Sequence, residues 1–269
     1  MSLLALKLLM LLLILTAGWL GGAVPLLWRQ QNAQRSAQNS GNAFAAGLFL
    51  ATGLLHFLPE SAHQFAQLGW HYPAASALAI AAFLLLLLFE HVLLPDAAHD
   101  AAHSHSGSTG APCNEHAHRP SSGSPYILLV ALSVHSLLAG IALGTDREQL
   151  GAMLAFLAIA VHKASAGLAL GLTLRASKLS RAGALRLVSL FALMTPLGVT
   201  VGLVAGSILR PGSQLLFDAM ATGLAGGTFL YIGAFDLLQD EFLHAGRRWA
   251  KLVAAAAGAL LAALLAVWL

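Results

Sequence analysis

Eight stretches of about 20 apolar residues, at roughly 3–27, 42–59, 74–94, 125–144, 150–174, 186–208, 216–236 and 250–269, leave this chain few ways to fold. A helix rises about 1.5 Å per residue, so each stretch is long enough to cross the ~30 Å hydrocarbon layer of a bilayer. The fold class expected is all-α: a polytopic membrane protein, an eight-transmembrane-helix bundle forming one domain over residues 1–269. Composition agrees, with 9% charged residues against about 25% in soluble domains. Lys7 ahead of a Leu run is also a feature of secretory signals, but the first stretch is longer than their apolar core and seven more follow it.

Net charge is +3, and its distribution says more than its sum. With eight spans the joins alternate between sides. One side holds Arg29, Arg35, Arg119, Arg175, Lys178, Arg181, Arg186, Arg247, Arg248 and Lys251, ten of the 14 basic residues. The other holds Lys7, Arg147 and Arg210, and Lys163 lies within a span. The positive-inside rule therefore puts both termini outside the cytoplasm. The location expected is the plasma (inner) membrane. Nucleic acid is not an expected partner. The single Cys113 excludes an intrachain disulfide, and this topology places it on the reducing side.

The one long polar join, about 96–124, is rich in Gly, Ser, Pro and Ala without helical or strand period, and is expected to be a mobile cytoplasmic loop. His99, His103, His105, His116 and His118 stand in it among Asp96, Asp100, Cys113 and Glu115. Imidazoles at such density suit weak, reversible metal collection, although no zinc-finger spacing is present; the alternative is a solvated linker. The other joins are short, which predicts that successive helices are antiparallel neighbours. Small residues four apart, at Gly140/Gly144, Gly167/Gly171, Gly198/Gly202 and Gly223/Gly227, predict close helix crossings. Pro196 predicts a kink in the sixth span.

Ionisable residues at bilayer depth are costly and mark pathways or ligand sites. His135 and His162 lie near the centres of the fourth and fifth spans. Side by side they would form half of a tetrahedral metal site, with Ser136 and Ser165 as weak oxygen donors. The alternative is that each imidazole hydrogen-bonds a backbone carbonyl or a neighbouring helix. An ammonium at Lys163 opposes a divalent cation unless Lys163 is neutral, pairs with Asp236 or snorkels away; a further reading is that it takes the place of a second ion. His56 and Glu60, four residues apart, share a helix face near the external mouth. Glu90, His91, Asp236, Gln239 and Glu241 fall toward the inner ends of spans three and seven. Together these residues form a string of candidate ligands from outside to inside, or else capping groups at helix ends.

Several segments resemble the ZIP (Zrt/Irt-like) divalent-metal transporters. HisSerLeuLeuAlaGlyIleAlaLeuGly from His135 and HisLysAlaSerAlaGlyLeuAlaLeuGly from His162 are similar to that family's paired signature. GlyLeuPheLeuAlaThrGlyLeuLeuHisPheLeuProGlu, ThrProLeuGly and GlyGlyThrPheLeuTyrIleGlyAlaPheAsp extend the resemblance over nearly the whole chain. The resemblance implies passage of zinc, or a similar ion, into the cytoplasm through a site between spans four and five. His135 and Ser136 match the first signature positions of span four, and His162 and Lys163 those of span five. A HisLys pair is similar to the branch of the family holding one metal where others hold two. Asp236 stands where Glu is common in span seven. Two positions depart from the pattern: Ala139 and Ala166 stand where members carry Glu. Two neutral imidazoles and a hydroxyl leave a divalent charge uncompensated, which lowers the affinity expected.

The function expected is transport of a divalent metal ion, with zinc the leading candidate. The ion is cargo, and no resident cofactor is required. Expected partners are that ion, the lipid bilayer and, as a candidate, a second copy of the chain in a homodimer. Two alternatives stand beside this: a transport-deficient membrane metal binder or regulator, which the missing glutamates favour, and a membrane protein whose two histidines ligate haem. An enzyme is not expected, since no HisGluXaaXaaHis motif or nucleophile with a base is present. No nucleotide-binding motif occurs either.

Overall fold

Helical rods account for the described structure, and strands are absent from the described residues. The computed structural model describes residues 3–27, 34–93, 125–145, 149–177, 179–243 and 247–267. We number the rods α1 (Leu3–Leu27), α2 (Gln34–Thr52, a π-helical Gly53–Phe57, then Leu58–Gln67) and α3 (Ala74–Leu88, then a π-helical Phe89–Leu93). After the 96–124 stretch come α4 (Pro125–Thr145), α5 (Gln149–Ala176) and α6 (Arg181–Ile208). The last two are α7 (Pro211–Tyr231, a π-helical Ile232–Gln239, then Asp240–Leu243) and α8 (Arg248–Ala266). Seven of these are long and apolar enough to cross a membrane, and α5, at 28 residues, matches them in length. The chain is an integral, polytopic, all-α membrane protein.

Several ends and runs follow from local chemistry. Ser180 caps α6 by accepting the Gly183 N–H, and Pro211 opens α7 where its missing N–H costs nothing. α6 continues as one helix through Pro196, whose carbonyl accepts the Thr200 hydroxyl at 2.9 Å. The π turn of α2 ends two residues before Pro59. A wide turn relieves the clash between a proline ring and the carbonyl four residues earlier.

The most extensive helix contacts are α1 with α5, α4 with α6, α2 with α8, and α3 with α7. Sequential neighbours are therefore not the principal packing partners, contrary to the expectation from short joins. In lipid the apolar effect does not separate one neighbour from another, so close backbone approach at small residues decides the pairing. A methyl added at Gly198 would lie 3.0 Å from the Cα of Gly140, and one at Gly202 only 2.8 Å from that of Gly144. On the other side Gly171 meets Gly22, where a methyl would lie 2.9 Å from Cα, and Gly167 meets Gly18 and Gly22. Gly47 and Gly258 join α2 to α8, and Gly227 joins α7 to Ala79 of α3.

Exchanging α1–α3 with α6–α8, and α4 with α5, maps these four pairs onto one another. This is the signature of an inverted repeat, and both π-interrupted helices of the pair α2 and α7 obey it. Among the seven membrane-length apolar helices, α4 and α7 are the most buried, at 61%, and α3 and α8 the least, at 17%. Leu8, Leu12, Ile80, Leu84, Leu190, Val204, Leu260 and Leu264 face outward as a lipid-compatible surface.

Candidate functional site

His135 of α4 and His162 of α5 are both buried and stand side by side, ring centroids 5.5 Å apart and nearly perpendicular. α7 holds the first of them. Nδ1 of His135 lies 3.1 Å from the Ala225 carbonyl and 3.0 Å from Oγ1 of Thr228, which itself donates to that carbonyl at 2.7 Å. A carbonyl only accepts, so Nδ1 carries the proton and Nε2 carries the lone pair. That Nε2 is buried with no hydrogen-bond partner among the described residues.

Aromatic rings wall the pair. Phe229 stacks on His135 with centroids 3.5 Å apart and meets His162 edge-on at 5.0 Å. Phe57, presented by the π turn of α2, stands 5.5 Å from His135 and 5.7 Å from His162, and Phe49 stacks behind Phe229. Ala139 and Ala166, one turn beyond the histidines, are buried in the same apolar cluster as these rings.

The hydroxyls expected beside the pair have other engagements. Ser136 accepts from Lys163 Nζ at 2.9 Å, and Ser165 donates to the His162 carbonyl on its own helix. Lys163, buried, also donates to the Phe191 carbonyl at 3.0 Å and sits over that ring, 3.6 Å from its centroid. It neither pairs with Asp236 nor snorkels to an interface; Ser136 and the carbonyl of α6 satisfy it instead.

His56 and His162 line a common cavity of about 20 Å³ with Thr52, Leu48, Val161, Ala262 and Leu265, room for roughly one water molecule. The structure thus brings His56 and His162 to one cavity. Glu60 is exposed, accepts from Gln64 at 2.9 Å and lies close enough to His56 for their charges to interact.

Toward the ends of α3 and α7, Tyr231 donates to Glu90 at 2.6 Å and lies 3.3 Å from Nδ1 of His91, joining the π turn of α3 to the start of that of α7. Asp236 is half-buried within the α7 π segment, near enough to Tyr231 to interact electrostatically. Glu241 accepts from Asn42 at 2.9 Å and pairs with buried Lys251 at 3.5 Å. Lys7, buried at the opposite end, donates to the Gly144 carbonyl, beside Thr145, Gln214 and Asp218. His99, His103, His105, His116, His118 and Cys113 lie outside the described residues.

Among the described residues no three His, Cys, Asp or Glu side chains gather closely enough to hold one ion. What the structure brings together is one pair of imidazoles, with carboxylates kept to the ends of the bundle. Thr228, Phe229 and Phe57 went unassigned in the sequence. The only signal for them was their place inside the GlyGlyThrPheLeuTyr and HisPheLeuProGlu segments.

A polytopic helical bundle with buried histidines within its spans belongs to the class of membrane proteins in which intramembrane ionisable groups mark a candidate pathway or ligand site. The family model of the ZIP zinc transporters matches residues 4–125 and 96–266, nearly the whole chain. This chain belongs to that family, whose members are transporters and not enzymes. Its relatives include zinc transporter ZIP1 of Homo sapiens, 30% identical over 254 residues and covering 83% of this chain and 76% of the relative. Zinc transporter 11 of Arabidopsis thaliana is 28% identical over 295 residues, covering 99% of this chain and 86% of the relative.

Proposed function

We propose that this protein carries zinc, or a similar divalent cation, through the membrane into the cytoplasm, with His135 and His162 as its central ligands. The observation that carries this is the buried imidazole pair in which Nε2 of His135 is left with a free lone pair by the Nδ1 contacts. Zinc takes neutral imidazole nitrogen at about 2.0–2.1 Å, and the relatives named above are zinc transporters. His56 and Glu60 serve the outer approach, and Asp236 the inner. Ser136, whose oxygen already accepts from Lys163, keeps one lone pair, and Ser165, which donates to its own helix, keeps its lone pairs but is a weak neutral donor.

Both termini lie outside the cytoplasm in this proposal, in a plasma (inner) membrane. The ten-to-three charge bias supports that orientation. Cys113 then faces the cytoplasm, and an impermeant thiol reagent applied to intact cells should leave it unlabelled; efficient labelling would invert the topology. The loop histidines at 99, 103, 105, 116 and 118 collect metal on that side.

Zinc uptake by proteoliposomes tests the transport reading. The parent protein should accumulate zinc, and His135→Ala and His162→Ala should each lower uptake at least tenfold at unchanged folded yield. A second reading, a metal binder that does not transport, is favoured by the rings of Phe57 and Phe229 closing over the pair and by Ala139 and Ala166. It predicts zinc binding without uptake. The haem alternative is disfavoured by geometry: Phe229 at 3.5 Å and Phe57 at 5.5 Å from His135 leave no slot for a planar macrocycle between the imidazoles.

A further inference from the structure

We infer that Thr228 and Phe229 of α7 are positioning residues that present Nε2 of His135 as the metal-binding atom. This rests on the proposal that His135 is a ligand, and adds which nitrogen binds and what selects it. A neutral imidazole has one donor and one lone pair, and the neighbour of one nitrogen decides the role of the other. Here the neighbours of Nδ1 come from a single helical turn. The Ala225 carbonyl can only accept, at 3.1 Å, and the Thr228 hydroxyl is turned to the same carbonyl at 2.7 Å, so its oxygen lone pair faces Nδ1 at 3.0 Å.

The next residue, Phe229, lies flat on the ring, 3.5 Å between centroids and 14° from parallel, so the imidazole cannot swing about its Cβ without losing that stack. Direction and tautomer are therefore both set by α7, a helix outside the paired histidine segments. Nε2 remains buried and unpartnered among the described residues, an arrangement that is costly in a resting protein and useful in one that accepts a cation. Groups that hold the non-ligating nitrogen of a metal-bound histidine are typically worth about 10–100-fold in affinity.

α7 continues within a few residues into its π segment at Ile232–Gln239, which carries Asp236. A displacement of α7 that moves Asp236 also moves the groups that hold His135, linking the inner end of the path to the central ligand.

Zinc affinity measured in micelles by competition with a fluorescent chelator, for the parent, Thr228→Val, Thr228→Ser and His135→Ala, tests this. Thr228→Val should weaken binding about tenfold, Thr228→Ser should stay within about threefold of the parent, and His135→Ala should abolish the site. ¹⁵N spectra of the metal-free parent should show His135 protonated at Nδ1, a readout that needs no variant to fold. A parent protonated at Nε2 overturns the inference. So does Thr228→Val binding like the parent while His135→Ala loses zinc, and so do Val and Ser variants equally weakened, since that would mean packing alone. If His135→Ala binds zinc like the parent, the underlying ligand assignment fails, an outcome distinct from the others.

Discussion

α4 and α5 carry nearly the same ten-residue motif in the same register, yet the protein uses the two copies differently. Each begins with the buried histidine, places Ala one turn on, and ends in a glycine pair that docks on an outer helix, α6 in one case and α1 in the other. The difference begins one position after the histidine, where α4 has Ser136 and α5 has Lys163. These two equivalent positions bond to each other across the pseudo-symmetry axis at 2.9 Å. It continues in the support given to each ring: α7 clamps His135, whereas His162 opens on the cavity shared with His56. A duplicated scaffold has thus been given one clamped imidazole and one imidazole facing a small cavity, with the buried Lys163 amine beside them.

The largest test of this comparison is steric. Gly171→Ala on the α5 side and Gly202→Ala on the α4 side each drive a methyl to within 2.9 Å of Gly22 Cα or 2.8 Å of Gly144 Cα, with backbone carbonyls closer still. Backbone cannot rotate aside as a side chain can, so each change should cost about 3 kcal/mol, at the upper end of overpacking penalties. Gly206→Ala is the control: its methyl would meet nothing nearer than 3.7 Å, and it should be neutral or slightly stabilising. Thermal unfolding in detergent measures all three. A large loss at Gly202 with none at Gly171 would show that the two crossings are not equivalent.

These crossings also show what the sequence could disclose. Span number, helical class and the histidine pair were legible because apolar length and intramembrane polarity are local properties. Gly140, Gly144, Gly167 and Gly171 were legible as packing sites but their partners were not, since spacing of four says that a helix is approached and not by which. Gly18 and Gly22 were passed over inside a Leu-rich run. The π turns at Gly53–Phe57 and Ile232–Gln239 leave no trace in apolar period, and only Pro59 hints at the first. Pairing with Asp236 was one of the fates left open for Lys163, but among the described residues its amine bonds Ser136 and the Phe191 carbonyl instead.

A second test restores the absent acid to each copy. Ala139→Glu puts a carboxylate one turn from His135, on the same helix face, and Ala166→Glu does so for His162. Both positions are buried, so each variant should lose some stability. Zinc affinity of the folded fraction should nevertheless rise, about tenfold for Ala139→Glu, or ~1.4 kcal/mol, because a carboxylate compensates charge that neutral imidazoles cannot. Ala166→Glu should gain less, since Lys163, three residues away on the same helix, competes for the new carboxylate. Chelator competition measures both. Equal gains would mean that Lys163 does not distinguish the two halves, and a gain surviving His135→Ala would place the ion elsewhere.

The smallest effects separate the two serines. The Ser165 hydroxyl bonds only its own helix, to the His162 carbonyl at 2.9 Å, a carbonyl that the helix already accommodates. Ser165→Ala should therefore shift stability by less than about 0.5 kcal/mol. Ser136 accepts a hydrogen bond from the buried Lys163 Nζ, and removing it leaves that donor short of a partner away from water. Ser136→Ala should cost about 1–3 kcal/mol, and Lys163→Met in the same chain should recover most of that loss, because the stranded donor is then absent. The double-mutant cycle, read by thermal unfolding, isolates the term. Additive losses at positions 136 and 163 would show that the bond between the two copies contributes nothing, and that Lys163 is held by Phe191 and its carbonyl alone.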